Sequence, residues 1–123
     1  MYLKYLLAGR TTTSESTLKR LARKGNSKVR TRIAENCQCP APLLASLSQD
    51  NEDEVRTAVA LNLQTQPSVL TRLSNDPSPD VRFMIASAAY MPVKILQRLV
   101  MDDNPYVGWR ANRTLERMAN IRR

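Results

Sequence analysis

The chain contains no histidine and only two cysteines among its 123 residues, and each scarcity removes a class of chemistry. Without histidine the usual general base is missing, and the lysines from Lys4 to Lys94 stand in no recognisable constellation with a nucleophile. Cys37 and Cys39 are separated by one residue, a spacing that suits neither an easy intrachain disulfide nor a tetrahedral metal site with four ligands. The pattern assigns Cys37 to the core and Cys39 to a loop, both as plain thiols, and points to a reduced, cytoplasmic setting. Long apolar runs are also missing. Tyr2 to Ala8, with Lys4 inside it, is too short to span a bilayer and is followed by no small-residue cleavage site. These absences predict a soluble protein that is not an enzyme and needs no cofactor or metal.

What the chain has instead is a period. Asp50 to Arg56 returns as Asp76 to Arg82 and, in part, as Asp102 to Val107, a step of 26 residues. Carried along the chain, that step aligns Leu18, Leu44, Leu70 and Leu96; Leu21, Leu47, Leu73 and Leu99; Val29, Val55, Val81 and Val107; and Ile33, Val59, Ile85 and Ala111. Four apolar columns at a fixed step are the signature of a helical-repeat array. They divide the chain into repeats 15–40, 41–66, 67–92 and 93–118, preceded by a cap over 1–14 and followed by a tail over 119–123.

Each repeat reads as two helices. The first carries the Leu pair at i and i+3 over about eight to ten residues, with Pro40, Pro42, Pro67 and Pro92 at its starts, where proline costs no intrahelical bond. The second follows the Asp loop. Ser78-Pro79 and Asn104-Pro105 read as N-cap and first helical position, and Glu54 and Asp80 fall in the first turn, where the helix dipole favours them. Its apolar face is predicted to run through Val55, Val59, Ala60 and Leu63, matched by Val29, Ile33, Ala34 and Cys37 and by Val81, Ile85, Ala86 and Ala89. A capping box of Thr12 and Glu15 is predicted to start the first repeat near Thr13, and Met1 to Ala8 to form a capping helix over its open end. The fold predicted is all-α: a solenoid of four helical hairpins with an N-terminal cap, in one domain.

The Asp followed six residues later by Arg after Val, in Asp50 to Arg56 and Asp76 to Arg82, resembles the pattern of HEAT-like repeats, where such a pair implies an inter-repeat hydrogen-bond ladder. The short unit, with Asn36 and Asn62 after the second-helix Ala column and a proline beyond, is similar still more to the leucine-rich repeat variant family. The resemblance implies a right-handed superhelix whose second helices line the concave wall. Lys24 and Gly108 stand where the ladder wants Asp and Arg, so it should run out at both ends. The iron–sulfur centre associated with that family is not carried over, because Cys37 and Cys39 lie inside a repeat. Some HEAT-like proteins are DNA glycosylases, but the Asp column here reads as structural.

The net charge of +8 is unevenly spread, with basic residues concentrated toward both ends and acidic ones in the middle. Packing does not explain one column, Thr31, Thr57, Phe83, Trp109, which changes from small and polar to aromatic. With Met84 beside it and Arg110 and Arg113 at the rim, that column has the composition of a hot spot for an unidentified protein or peptide. Phe83, Met84, Trp109, Arg110 and Arg113 are therefore the candidate partner site of an interaction scaffold. The other reading is a nucleic-acid-binding module using Lys19, Arg20, Arg23, Lys24 and Lys28 with Arg117. Self-association is a third use of such a repeat.

Overall fold

The structure is a computed structural model and describes residues 2–121. Among the described residues it is all helix, with no strand: α1 Tyr2–Gly9, α2 Glu15–Lys24, α3 Ser27–Glu35, α4 Ala41–Leu47, α5 Asp53–Leu61, α6 Pro67–Leu73, α7 Pro79–Ala86, α8 Val93–Val100 and α9 Pro105–Ile121. None of these helices is long and apolar enough to cross a membrane. The chain falls into two compact units, Met1–Val69 and Leu70–Arg123.

In the first unit α3 packs against both α1 and α5, while α2 and α4 flank α3 and α5. In the second, α9 packs against α7 and α8. Every residue of the four apolar columns is buried. A buried aliphatic side chain contributes roughly 1.5–3 kcal/mol relative to an exposed one, so these columns supply the main force holding the helices together.

Several boundaries differ from expectation, each for a local reason. Ser14, not a Thr12 capping box, starts α2: its side chain accepts from the Thr17 amide, while the Thr13 hydroxyl donates to the Leu7 carbonyl. Asn104 does cap α9 as expected, accepting the Tyr106 amide at 2.9 Å. Ser78 occupies the N-cap position of α7 without a side-chain capping bond; there the Asp76 carboxylate accepts the Ser78 amide at 2.9 Å. The Leu-pair helices α4 and α6 are seven residues long. The cap α1 forms and buries Ala8, but Leu3 and Leu6 remain exposed; Met1 lies outside the described residues.

The two cysteines exchange roles. Cys37 is exposed and Cys39 buried, because α3 ends at Glu35 and position 37 falls in the turn beyond it. Leu63 is exposed for the same reason. Cys39 instead occupies the place that Thr13 and Thr65 hold 26 residues away in either direction. Both threonines tie their loop to the preceding helix, Thr13 to the Leu7 carbonyl and Thr65 to the Val59 carbonyl at 2.6 Å. Burial pushes the Cys39 thiol up to about 12, which leaves it a packing residue without thiolate reactivity.

The helix ends also set the length of α9. Asn36 and Asn62 end α3 and α5 with extended backbone, and their side-chain oxygens accept the Gln38 and Gln64 amides at 2.9 and 2.8 Å. Thr114 follows them in register. Its hydroxyl lies 2.6 Å from the Ala86 carbonyl and 3.0 Å from the Arg110 carbonyl one turn back. Threonine has no side-chain carbonyl to accept a loop amide as Asn36 and Asn62 do, and α9 runs on through 17 residues, so the expected tail is helix as far as Ile121.

Candidate functional site

The Asp and Arg columns build a scaffold, which removes them from the list of ligand-binding groups. Arg30 grips the Asp50 carboxylate through Nε at 2.7 Å and Nη2 at 3.2 Å, and its Nη1 donates to the Gly25 carbonyl at 3.0 Å. Arg82 repeats this with Asp102 at 2.9 and 3.2 Å and with the Asp76 carbonyl at 2.6 Å. The motif Asp-x5-Arg thus joins the arginine to the aspartate's backbone carbonyl, as Arg56 also does to Asp50 at 2.7 Å. The carboxylate serves the arginine twenty residues earlier. It also accepts an amide two residues on, from Glu52 or Asn104, and so shapes the loop before the second helix. Gly108 breaks the arginine column because a Cβ there would come within 2.8 Å of the Val100 carbonyl oxygen.

Burial alone would raise the Asp50 and Asp102 carboxyls, but the arginine and amide hydrogen bonds and the neighbouring positive charge outweigh it and hold both below the usual range. Their folded forms hold protons less tightly than the unfolded chain does. The stabilisation is therefore complete above the unfolded value of about 3.9 and is lost as pH falls through the lower folded values. Thermal stability should be level down to about pH 5 and decline below it. Asp102→Asn, less stable than the parent at neutral pH, should converge with it in acid. A gap between the two that stays constant on acidification would refute this account.

The candidate partner residues lie on α7 and α9. Trp109 is 59% exposed and Met84 is also exposed, whereas Val107 and Ala111, on either side of Trp109 in sequence, are fully buried. The core of α9 is complete without the indole. Phe83 is half-buried and lines a cavity of about 340 Å³ with Pro79, Asp80, Asn104, Tyr106 and Val107. Arg113 lies over the Trp109 ring, 6.0 Å from its centroid, and pairs with Glu116 at 3.7 Å. Arg110 is drawn back toward α7, its Nε donating to the Ser87 hydroxyl at 3.1 Å.

Tyr106, 74% exposed at the mouth of that cavity, belongs to the aromatic cluster of the sequence between 83 and 109 but was not among the candidate partner residues. Its column reads Lys28, Glu54, Asp80, Tyr106, changing from charged to aromatic at the same repeat in which Trp109 appears. That change was the available signal.

The basic candidates are placed differently. Lys19, Arg20, Arg23, Lys24 and Lys28 are all exposed. Lys19 and Arg23 line a cavity of about 380 Å³ between α2 and α4 with Arg30 and Ser46, but Arg30 already holds Asp50. Arg117 is exposed on α9, in the other unit. Among the described residues no group of three or more His, Cys, Asp or Glu side chains is arranged to hold a metal ion.

Compared with known proteins, the chain matches no family model, no curated protein and no solved structure.

Proposed function

We propose that this protein is a non-enzymatic interaction module: a solenoid of four helical hairpins, of the leucine-rich repeat variant and HEAT-like kind, that binds a protein or peptide on the α7–α9 surface. The exposure of Trp109 between two buried core positions carries this reading, since a large aromatic that packing does not need is surplus unless it is used. The partner is a segment that seats an apolar side chain in the cavity beside Phe83 and Tyr106. It presents an acidic or polar group to Arg113, with Met84 and Arg110 at the margin. Trp109→Ala should weaken binding by about 2 kcal/mol, roughly thirtyfold, with little change in stability. Binding of the purified partner and thermal melting of the variant check this together. If Trp109→Ala instead unfolds α9 with no separate binding defect, the indole is core and the reading falls.

The cavity that Lys19 and Arg23 share supports a second reading, binding to a nucleic-acid backbone through the basic face of α2 with Lys24 and Lys28. Phosphate contacts weaken steeply with salt, whereas an aromatic-centred contact does so much less. A salt titration of binding separates the two.

A further inference from the structure

The helix α1 stands in the repeat register although no repeat was assigned to it. Leu3, Leu7 and Ala8 lie 26 residues before Val29, Ile33 and Ala34, and α1 packs against α3 as α3 packs against α5. The polar contacts repeat as well. Asn36 reaches the Ala8 and Arg10 carbonyls, both at 2.8 Å, as Asn62 reaches the Ala34 and Asn36 carbonyls at 2.7 and 3.0 Å. Arg32 adds a tie of its own, its guanidinium 5.4 Å from the Tyr5 ring centroid. By these contacts α1 is a second helix of the repeat.

It differs from the others in what covers it. Val29 and Ile33 are buried beside α2, and Val55 and Val59 beside α4. Leu3, the counterpart of Val29, is 66% exposed, and Leu7 is only half-buried. A mostly apolar cavity of about 270 Å³, lined by Tyr2, Tyr5, Asn26, Lys28 and Val29, opens on the same helix. The Leu-pair helix α2 touches α1, yet it leaves Leu3 and this cavity open. The register shows what fits there: a short helix with leucines at i and i+3, as in Leu18 and Leu21 or Leu44 and Leu47.

The surrounding charge narrows the occupant. Lys4, Arg10, Lys24 and Lys28 are exposed in this part of the chain, where Glu15 is the sole acidic residue before Glu35. The chain's own Leu-pair helices are poor candidates in a second copy, because their leucines are already buried and α2 and α8 carry net positive charge. We infer that the open face of α1 docks an acidic amphipathic helix of another protein, its leucine pair covering Leu3 and Leu7 and its carboxylates facing Lys4 and Lys28. This site is independent of the α7–α9 surface.

An alanine-rich synthetic peptide of about 20 residues, long enough to be partly helical alone, with one Leu-x-x-Leu pair and a few glutamates flanking it, is the probe. Fluorescence anisotropy against the full chain should show saturable binding. Leu3→Ser removes an apolar contact from an already exposed position, so it should leave the circular dichroism spectrum and melting unchanged. It should weaken binding by about tenfold or more. Lys28→Gln should weaken it less and flatten its salt dependence, and Trp109→Ala should leave it unaltered. The inference is overturned if the probe does not bind, or if it binds the Leu3→Ser variant equally well. It also fails if a probe with both leucines changed to serine binds as tightly, since charge alone would then suffice. A concentration-dependent dimer that Leu3→Ser abolishes would overturn it too, by making a second copy the occupant.

Discussion

Arg82→Ala is expected to destabilise the protein by about 3 kcal/mol, the region where losing a charged hydrogen-bond partner and breaking a buried ion pair overlap. The side chains of Arg82 and Asp102 are only 13% and 9% exposed, so neither charge recovers full hydration when the other is removed. Alanine would leave the Asp102 carboxylate with its loop amide from Asn104 but no cation, and would strip the Asp76 carbonyl of its 2.6 Å donor. The neighbouring Asp103 contact contributes little, because that side chain is almost fully exposed. A loss of this size should lower Tm by roughly 10 °C in a domain of this length. Arg82→Lys is the informative companion. An ammonium keeps the charge, but it cannot place a planar fork on the carboxylate and also reach the Asp76 carbonyl, so it should recover only part of the loss. If both variants melt with the parent, the arginine column does not hold the helices.

Much of this framework could be read in the residues, and the parts that could not share a cause. Buried apolar positions repeat with little change, so Leu18 through Leu99 and Val29 through Val107 declared themselves. The helix ends were harder, since they depend on single polar side chains. Asn36 and Asn62 stop their helices one residue before the position expected to carry the apolar face onward, which turns Cys37 and Leu63 outward and Cys39 inward. Thr114 at the corresponding place lets α9 continue. Partner assignment was hidden as well. Asp50 and Arg56 announce a pair by spacing, yet spacing cannot show that the carbonyl serves one arginine and the carboxylate another. The likeness of α1 to α3 was legible in Leu3, Leu7 and Ala8, but its lysine in the arginine column and the shortness of the segment made it look like a simple cap. At the candidate site the change from Thr57 to Phe83 and Trp109 pointed to α7 and α9, where Phe83 is half-buried and Trp109 exposed. It did not show that Arg110 turns back to Ser87 while Arg113 stays with the indole.

The asparagine contacts carry the second large effect. The last carbonyls of a helix have no partner within it, and in the first unit those at Ala8 and Ala34 are met by the side-chain amides of Asn36 and Asn62, two helices further along the chain. Asn62 is buried and makes three bonds, donating to Ala34 and Asn36 and accepting from Gln64. Asn62→Ala would take the side-chain donor from the buried Ala34 carbonyl and the acceptor from the Gln64 amide, while the Asn36 carbonyl would keep only the Cys39 amide at 3.0 Å. The expected loss is about 3 kcal/mol, since each orphaned group costs roughly 1–3 kcal/mol and the small cavity left behind lets some relaxation in. Thr114 does the related task in the second unit with a single hydroxyl on the Ala86 carbonyl. Thr114→Val, which keeps the shape and removes only that donor, should therefore cost less, about 1–2 kcal/mol. Urea denaturation of both variants tests the pair, with the slope unchanged and the midpoint falling further for Asn62→Ala. Equal midpoints, or the reverse order, would mean that the side-chain amide fills space between α3 and α5 without holding the end of the preceding helix.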